Sequence, residues 1–404
     1  MFNFASRKAS ISPEKPQYLS GHAQRDGKST GIHDDIETVC YWIEVNGKSL
    51  CWIEVDVIKT DFETTNKIKK RISKQMSIPE DNIIICAGHT HTAPLVDHLS
   101  ISPKVDEEYC DFMVDTIVGN AIKAHENQEL VSASFAQGEV EGYYGNRNDF
   151  KREGFQSVYI IKLVNQDGKL VGTIINTSVH PTVLSPETYE ITADLIGAMR
   201  RKFEAFFSAP CLLVNGVTGD MSTKYYRKGN DFAELERISE GIVNKVVQFS
   251  DYVELDINTV ETKSFSYVVD YQHDVKTYNK LIEGHTKKLE TEENYDERKW
   301  LLSQLGNFKR RVANPKVHFD IRTTIVNLGD LELVVIPGDP VTFFGKQIIR
   351  SSNKKLCLPL CHGNGECTYI IEAWEFGKGH SGFATQLKKG QAEEYVAKII
   401  NNLF

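Results

Sequence analysis

Five short apolar runs, each emptying into a loop built from Gly, Pro, His, Asp or Asn, constrain the fold of this chain more than any other feature. Asn82-Ile83-Ile84-Ile85-Cys86-Ala87 leads into Gly88-His89-Thr90-His91-Thr92-Ala93-Pro94. The run at 171–176 leads into Thr177-Ser178-Val179-His180-Pro181, and that at 211–214 into Asn215-Gly216-Val217-Thr218-Gly219-Asp220-Met221-Ser222. Further on, 331–336 runs into Pro337-Gly338-Asp339-Pro340, and 355–360 into Cys361-His362-Gly363-Asn364-Gly365. Apolar runs of this length read as buried strands. The polar residues after them belong at the carboxyl edge of a sheet, where open α/β folds collect their ligands. Helical patterns at 194–203 and 234–247 lie between the runs, so the expected class is α/β, with mixed sheets, flanking helices and an active site in the loops at strand C-terminal ends. The stretch 278–311, rich in Lys and Glu with Leu281, Leu289, Trp300, Leu301 and Leu305, reads as a charged helical hairpin. No repeat or low-complexity linker marks a boundary, so residues 1–404 are expected to form a single domain carrying that hairpin as an insertion.

Composition removes several function classes. With 404 residues and 41% hydrophobic content the chain can bury a real core, which sets disorder aside. A net charge of -8 gives no reason to expect a polyanionic partner. The local basic run Lys67, Lys69, Lys70, Arg71 and Lys74 is interleaved with Ile68 and Ile72 four apart, and reads as a solvated helix face rather than a phosphate track, so no nucleic acid is expected. Residues 1–8 hold no apolar stretch of the length a secretory signal needs, and no segment approaches the ~18 apolar residues of a spanning helix. The expectation is a cytoplasmic protein with no stable membrane insertion; protein partners and oligomeric state are left unassigned. Eight cysteines sit mostly inside apolar runs, where reduced Cys behaves as a small hydrophobe, so a disulfide framework is not expected. Cys357, Cys361, His362 and Cys367 lack the CxxC pair of structural zinc modules.

His89 and His91 carry the clearest chemical signal. In an extended segment, residues two apart point to one side, so two imidazoles can address one point, as a ligand pair or as a ligand with an acid/base neighbour. His180 closes a second strand in the same manner. Neither HExxH nor GxSxG occurs around these residues, which argues against the helix-based zinc proteases and the α/β-hydrolase esterases. By residue type alone, Asp339 reads as a turn residue of Pro-Gly-Asp-Pro, Ser222 as a loop or helix cap, Tyr369 as a core aromatic and Arg147 as a surface ion-pair residue.

Taken in order, His89-Thr90-His91-Thr92-Ala93-Pro94, Asn146-Arg147, Val179-His180-Pro181, Gly219-Asp220-Met221-Ser222, Pro337-Gly338-Asp339 and Asn364-Gly365 with Tyr369 resemble the catalytic domain of the neutral, non-lysosomal ceramidases. Gly21-His22-Ala23-Gln24-Arg25 and Thr30-Gly31-Ile32-His33-Asp34-Asp35 are similar to that family's opening segment, and the resemblance spans nearly the whole chain. It implies zinc ligands at His89, His180, Asp339 and Tyr369, with His91 and Arg147 beside the scissile group. It also implies Ser222 as nucleophile or as the hydroxyl that positions a water. Two imidazoles with anionic oxygens suit Zn²⁺ and leave room for water or a carbonyl oxygen.

The chain departs from the family in three ways. Aspartate stands at 339 where glutamate is usual, and the tyrosine of the closing Tyr-Glu motif is missing, with His380 nearby instead. The eukaryotic enzymes also carry a C-terminal β-rich domain and a secretory signal, whereas this chain ends at Phe404. The expected function is therefore a zinc-dependent amide hydrolase acting on a small N-acyl or other amide substrate, with Ser222, His91, Arg147 and His380 as catalytic residues and Zn²⁺ as cofactor. A metal-dependent esterase or true ceramidase on the same centre, and a degenerate binding module without catalysis, are the alternatives.

Overall fold

The computed structural model of the chain describes residues 1–22, 25–97, 105–365 and 368–404. All five apolar runs are strands, at Ile83–Ala87, Leu170–Thr177, Cys211–Asn215, Leu331–Val335 and Leu356–Leu360. They divide between two sheets. The larger runs, in spatial order, Cys211–Asn215, Leu170–Thr177, Ser157–Asn165, Glu129–Glu139, Phe2–Ser10, Glu37–Val45, Lys48–Val55 and Ile83–Ala87, with Val253–Leu255 paired to Glu129–Glu139. The smaller runs Ile257–Gln272, Lys316–Gly329, Leu331–Val335 and Leu356–Leu360. The class is thus α/β with mixed sheets.

Parallel pairing within these sheets is confined to three places, and each follows from a crossover helix. Phe62–Met76 connects Lys48–Val55 to its parallel neighbour Ile83–Ala87; Asp194–Phe207 connects Leu170–Thr177 to Cys211–Asn215; Thr342–Ser351 connects Leu331–Val335 to Leu356–Leu360. All five runs belong to these βαβ units, which is why they read as continuous apolar segments: helix covers one face and core the other.

A single sheet edge was the expectation from sequence; the polar loops instead converge from two sheets. Ile83–Ala87 and Cys211–Asn215 stand at opposite ends of the large sheet's strand order, yet both are tied to the segment that follows Leu356–Leu360. Cys361 N–H donates to Asn215 O at 3.0 Å, Ala87 N–H to His362 O at 3.1 Å, and Asn364 N–H to Ile85 O at 2.7 Å. The Asn364 side chain accepts from Ile85 N–H at 3.0 Å, and Asn215 Nδ2 donates to Gly88 O at 2.9 Å. This turn is made possible by left-handed backbone at His362 (φ 52°) and Asn364 (φ 54°).

Two helical regions frame the site. The basic run on Phe62–Met76 is divided: Lys67 and Arg71 pair with Asp111 and Asp115 of Glu107–Ala124, each at 2.6 Å, while Lys69 is buried and its ammonium is pushed down to about 8 by that burial. The charged stretch forms the helices Val275–Thr291 and Tyr295–Ala313, capped by Asp274 and Asn294. Trp300 and Phe308 pack on Phe383 of the short helix Gly379–Ala384, which brings this hairpin over the converging loops. No helix among the described residues is long and apolar enough to cross a membrane.

Candidate metal centre

His89 follows Ile83–Ala87 with φ of 65°, a left-handed conformation that costs a non-glycine residue energy and is held here by its surroundings. Its backbone N–H donates to Val57 O at 2.9 Å, and its ring Nδ1 donates to Ile58 O at 2.6 Å. A proton on Nδ1 leaves Nε2 as a bare lone pair, 3.2 Å from His180 Nε2. His180 follows Leu170–Thr177, is bridged to Ser222, and is buried. Its Nδ1 makes no hydrogen bond and lies 3.5 Å from Asp339 Oδ2, which likewise makes none. The other Asp339 oxygen accepts from Thr218 Oγ1 at 2.5 Å. His91 places Nδ1 3.1 Å from Gly21 O and leaves a buried Nε2 without a hydrogen bond.

Two sets of ligand atoms therefore meet at His89. His89, His91 and His180 form one, and His89, Asp339 and His362 the other, with the atoms of each set within 4.8 Å of one another. Tetrahedral Zn²⁺ at ordinary Zn–N distances holds two imidazole nitrogens about 3.3 Å apart. The His89–His180 separation fits that spacing, and the unsatisfied His180 Nδ1, Asp339 Oδ2 and His91 Nε2 are the orphaned buried atoms that a cation and its second shell would satisfy. Protonation agrees with the donor chemistry. Burial holds the imidazoles of His91 and His180 well below the ordinary histidine value, helped at His180 by Arg147, so both are neutral at pH 7. Burial pushes the Asp339 carboxyl up, opposed by His362, His89 and Arg147.

The remaining sequence-predicted residues surround this centre. Tyr369–Ile370 pairs in parallel with Asp339–Pro340, so Tyr369 lies in register with Asp339, and its ring is centred 6.5 Å from that of His180. The Arg147 guanidinium lies 5.3 Å above the Tyr369 ring, donating to Gly219 O at 2.6 Å and Ser381 Oγ at 3.1 Å. His380 meets Tyr369 edge-on at 5.7 Å, and burial with the Arg147 charge pushes its imidazole down to about 3. Ser222 is buried on a two-residue strand, Met221–Ser222, whose partner is Gly145–Asn146 next to Arg147. Its Oγ accepts from Lys224 N–H at 3.1 Å, a loop-capping bond that leaves the hydroxyl hydrogen available. His89, His91, Arg147, His180, Ser222, Tyr369 and His380 all line one cavity of about 1040 Å³.

Sequence reasoning missed His362 and Thr218 as members of this centre. In sequence His362 stands among Cys357, Cys361 and Cys367; the fold turns its ring toward Thr218 instead, and Cys367 lies outside the described residues. Its place beside His89 follows from the convergence of two sheets, which no local pattern encodes.

Residues 13–211 match the family model described as neutral/alkaline non-lysosomal ceramidase, N-terminal. The fold is similar to that of the neutral ceramidase from Pseudomonas aeruginosa, with TM-score 0.77 and 17% identity over 99% of this chain and 73% of that one. It is also similar to a ceramidase complexed with C2, with TM-score 0.76 and 16% identity over 99% of this chain and 74% of that one. No curated protein sequence matches the chain. Residues 13–211, from the opening segment through the first two histidine loops, thus match the neutral/alkaline non-lysosomal ceramidase N-terminal model, and the fold of the chain is similar to that of neutral ceramidase.

Proposed function

We propose that this protein is a zinc-dependent amide hydrolase, with His89, His180, Asp339 and Tyr369 holding the metal and Ser222, His91, Arg147 and His380 acting on the substrate. The observation that carries this reading is the pair of imidazole Nε2 atoms 3.2 Å apart, with unsatisfied Asp339 Oδ2 and His180 Nδ1 beside them; the two imidazoles line a cavity that also exposes Arg147 and Ser222. Bound there, Zn²⁺ supplies Lewis acidity toward the amide carbonyl and lowers the pKa of water. The protein's own groups divide the rest of the work. Neutral His91 accepts a proton at Nε2 from the attacking water or from the Ser222 hydroxyl and returns it to the leaving amine. Arg147, fixed by Gly219 O and Ser381, points a guanidinium at the oxygen that gains charge. Ser222 Oγ, anchored by Lys224 N–H, orients the nucleophile.

Action in the cytoplasm is part of the same reading; the described cysteines are all buried free thiols, which suits a reducing compartment. The test is hydrolysis of N-acyl amides before and after chelation, with metal content measured by mass spectrometry. The reading expects about one zinc per chain, loss of turnover on chelation, its return with Zn²⁺, and loss of metal from His89→Ala and His180→Ala. Amide hydrolysis that survives complete metal removal sinks it. Efficient zinc-dependent release of sphingosine as the preferred reaction would instead make the protein a true ceramidase.

A further inference from the structure

Most of the charged residues described in the lining of the cavity beside this centre are cations, although the chain carries a net charge of -8. Among the described residues lining it, eight are Lys or Arg, and the only carboxylates are Asp97 and Glu297. One wall is the helix Tyr295–Ala313, whose lining residues include Lys299, Ser303, Gly306 and Arg310, with Trp300 and Asn307 beside them. Spacings of four, three and four residues place the first four on one helical stripe. A stripe turned toward the molecule is ordinarily apolar. This one carries a cation at each end and two small residues between them.

Several of these cations are held by neutral oxygens. Arg25 donates to the backbone carbonyls of Ser20 at 3.0 Å, Pro186 at 3.0 Å and His91; Arg147 donates to Gly219 O and Ser381 Oγ; Arg310 donates to Asn307 Oδ1 at 3.2 Å. Such contacts orient a guanidinium without cancelling its charge. Lys299 and Lys224 line this cavity together with His22 and His380. Leu19, Ile58 and Leu95 line the same cavity and give it an apolar flank.

We infer that the substrate is an amphiphilic amide bearing an anionic group, a carboxylate, phosphate or sulfate, which seats against Lys299 and Lys224 while an apolar chain lies along Leu19, Ile58 and Leu95. This rests on the amidase reading of the same cavity. Half-buried cations at a site entrance favour an anion over a neutral isostere and steer it in, with a strength that falls as salt rises.

The test compares N-octanoylglycine with N-octanoylethanolamine, which share chain and amide and differ in the carboxylate. Wild-type protein is expected to favour the glycine conjugate roughly tenfold or more in kcat/KM at low salt, with the ratio shrinking as salt is added. Lys224→Gln/Lys299→Gln is expected to bring the ratio close to one, with thermal melting verifying the fold. Calorimetric titration of both compounds gives a readout that does not need turnover. Salt-sensitive binding of N-octanoylglycine alone, with neither compound hydrolysed, supports the anion site and retires the amidase reading. Hydrolysis of both at equal kcat/KM retires the anion site and leaves the amidase reading standing. Absence of binding overturns the inference, as does a double variant that keeps the wild-type ratio but loses affinity for phosphatidylcholine vesicles containing phosphatidylserine, since the lysines then serve a membrane surface.

Discussion

The imidazoles of His89 and His362 lie face to face, with ring centres 3.7 Å apart and planes within 2° of parallel. A metal ion bonds in the plane of an imidazole, along the nitrogen lone pair. An ion held by His89 would therefore lie off the plane of His362, so the two stacked rings would not both suit one ion, even though their nitrogens and Asp339 are close in space. His362 has a different task. Its Nε2 lies 3.1 Å from Thr218 Oγ1, and the Thr218 hydroxyl gives its one proton to Asp339 Oδ1, so the His362 Nε2–H is the donor to Thr218. This relay fixes the carboxylate with Oδ2 turned toward His180.

Thr218→Val removes the relay while nearly conserving volume. Outer-shell partners of this kind are worth about 10- to 100-fold in metal affinity, so zinc affinity measured by competition with a chromogenic chelator is expected to fall by that amount. His362→Ala should move it in the same direction. Wild-type affinity in Thr218→Val would show that Asp339 needs no such support.

Ser222→Ala separates holding the metal from using it. The Ser222 hydroxyl lines the cavity, and its oxygen accepts from Lys224 N–H. The variant should keep full zinc content and a melting temperature near wild type while kcat falls by about 100-fold or more. Unchanged turnover would take the hydroxyl out of the reaction.

Gly21→Ala probes how His91 is placed. Gly21 has φ of 93°, and a Cβ there would sit 2.6 Å from the His91 ring, whose Nδ1 bonds the Gly21 carbonyl. Either His91 moves or the loop does. Activity should fall strongly while zinc bound through His89 and His180 is retained; loss of zinc along with activity would make His91 a ligand rather than an acid/base neighbour.

Acid should destabilise the metal-free protein through its depressed histidines. For His380, the folded value of about 3 lies below the unfolded value of about 6.5. Between these two values the unfolded chain binds the extra proton, so this stability is present above about pH 6.5 and is lost as pH falls toward the folded value. The contribution lost between pH 7 and pH 5 is up to about 2 kcal/mol. Urea unfolding at the two pH values, after chelation, should show a smaller pH difference for His380→Asn than for wild type. Equal differences would mean that His380 is solvated.

The strands and the individual histidine loops were legible because a βαβ strand must be apolar on both faces and its carboxyl end must carry what the loop presents. Ile83–Ala87 with His89 and His91, and Leu170–Thr177 with His180, are of this kind. What could not be read was which loops meet. That Cys361 bonds Asn215 while Asn364 bonds Ile85 depends on the coiling of a nine-stranded sheet until its opposite edges approach one turn, a consequence of global packing rather than of any local pattern. His362 and Thr218 were missed for the same reason.

Beneath His89 lies a buried charge cluster whose loss should be felt at the centre. Arg200 is fully buried and pairs with Glu54 at 2.8 Å, Glu37 at 3.2 Å and Asp56 through both of its terminal nitrogens. A Cβ on Gly88 would come within 2.6 Å of Glu54 Oε1, so the cluster packs directly under the residue that precedes His89. Burial pushes the Glu54 carboxyl up, Asp56 adds to the shift, and Arg200 opposes it. Arg200→Met keeps much of the side-chain volume but leaves three carboxylates without their cation, and breaking a buried pair in this way costs about 3–5 kcal/mol. The variant should melt well below wild type. Because the unpaired carboxylates then take up protons, it should regain part of the difference as pH is lowered from 8 to 6. The carboxylates lie next to the strained turn at His89, so zinc affinity should fall with stability in Arg200→Met, and Gly88→Ala should weaken zinc binding with a smaller loss in melting temperature. Full zinc affinity in both variants would mean that the turn holds its shape without the cluster.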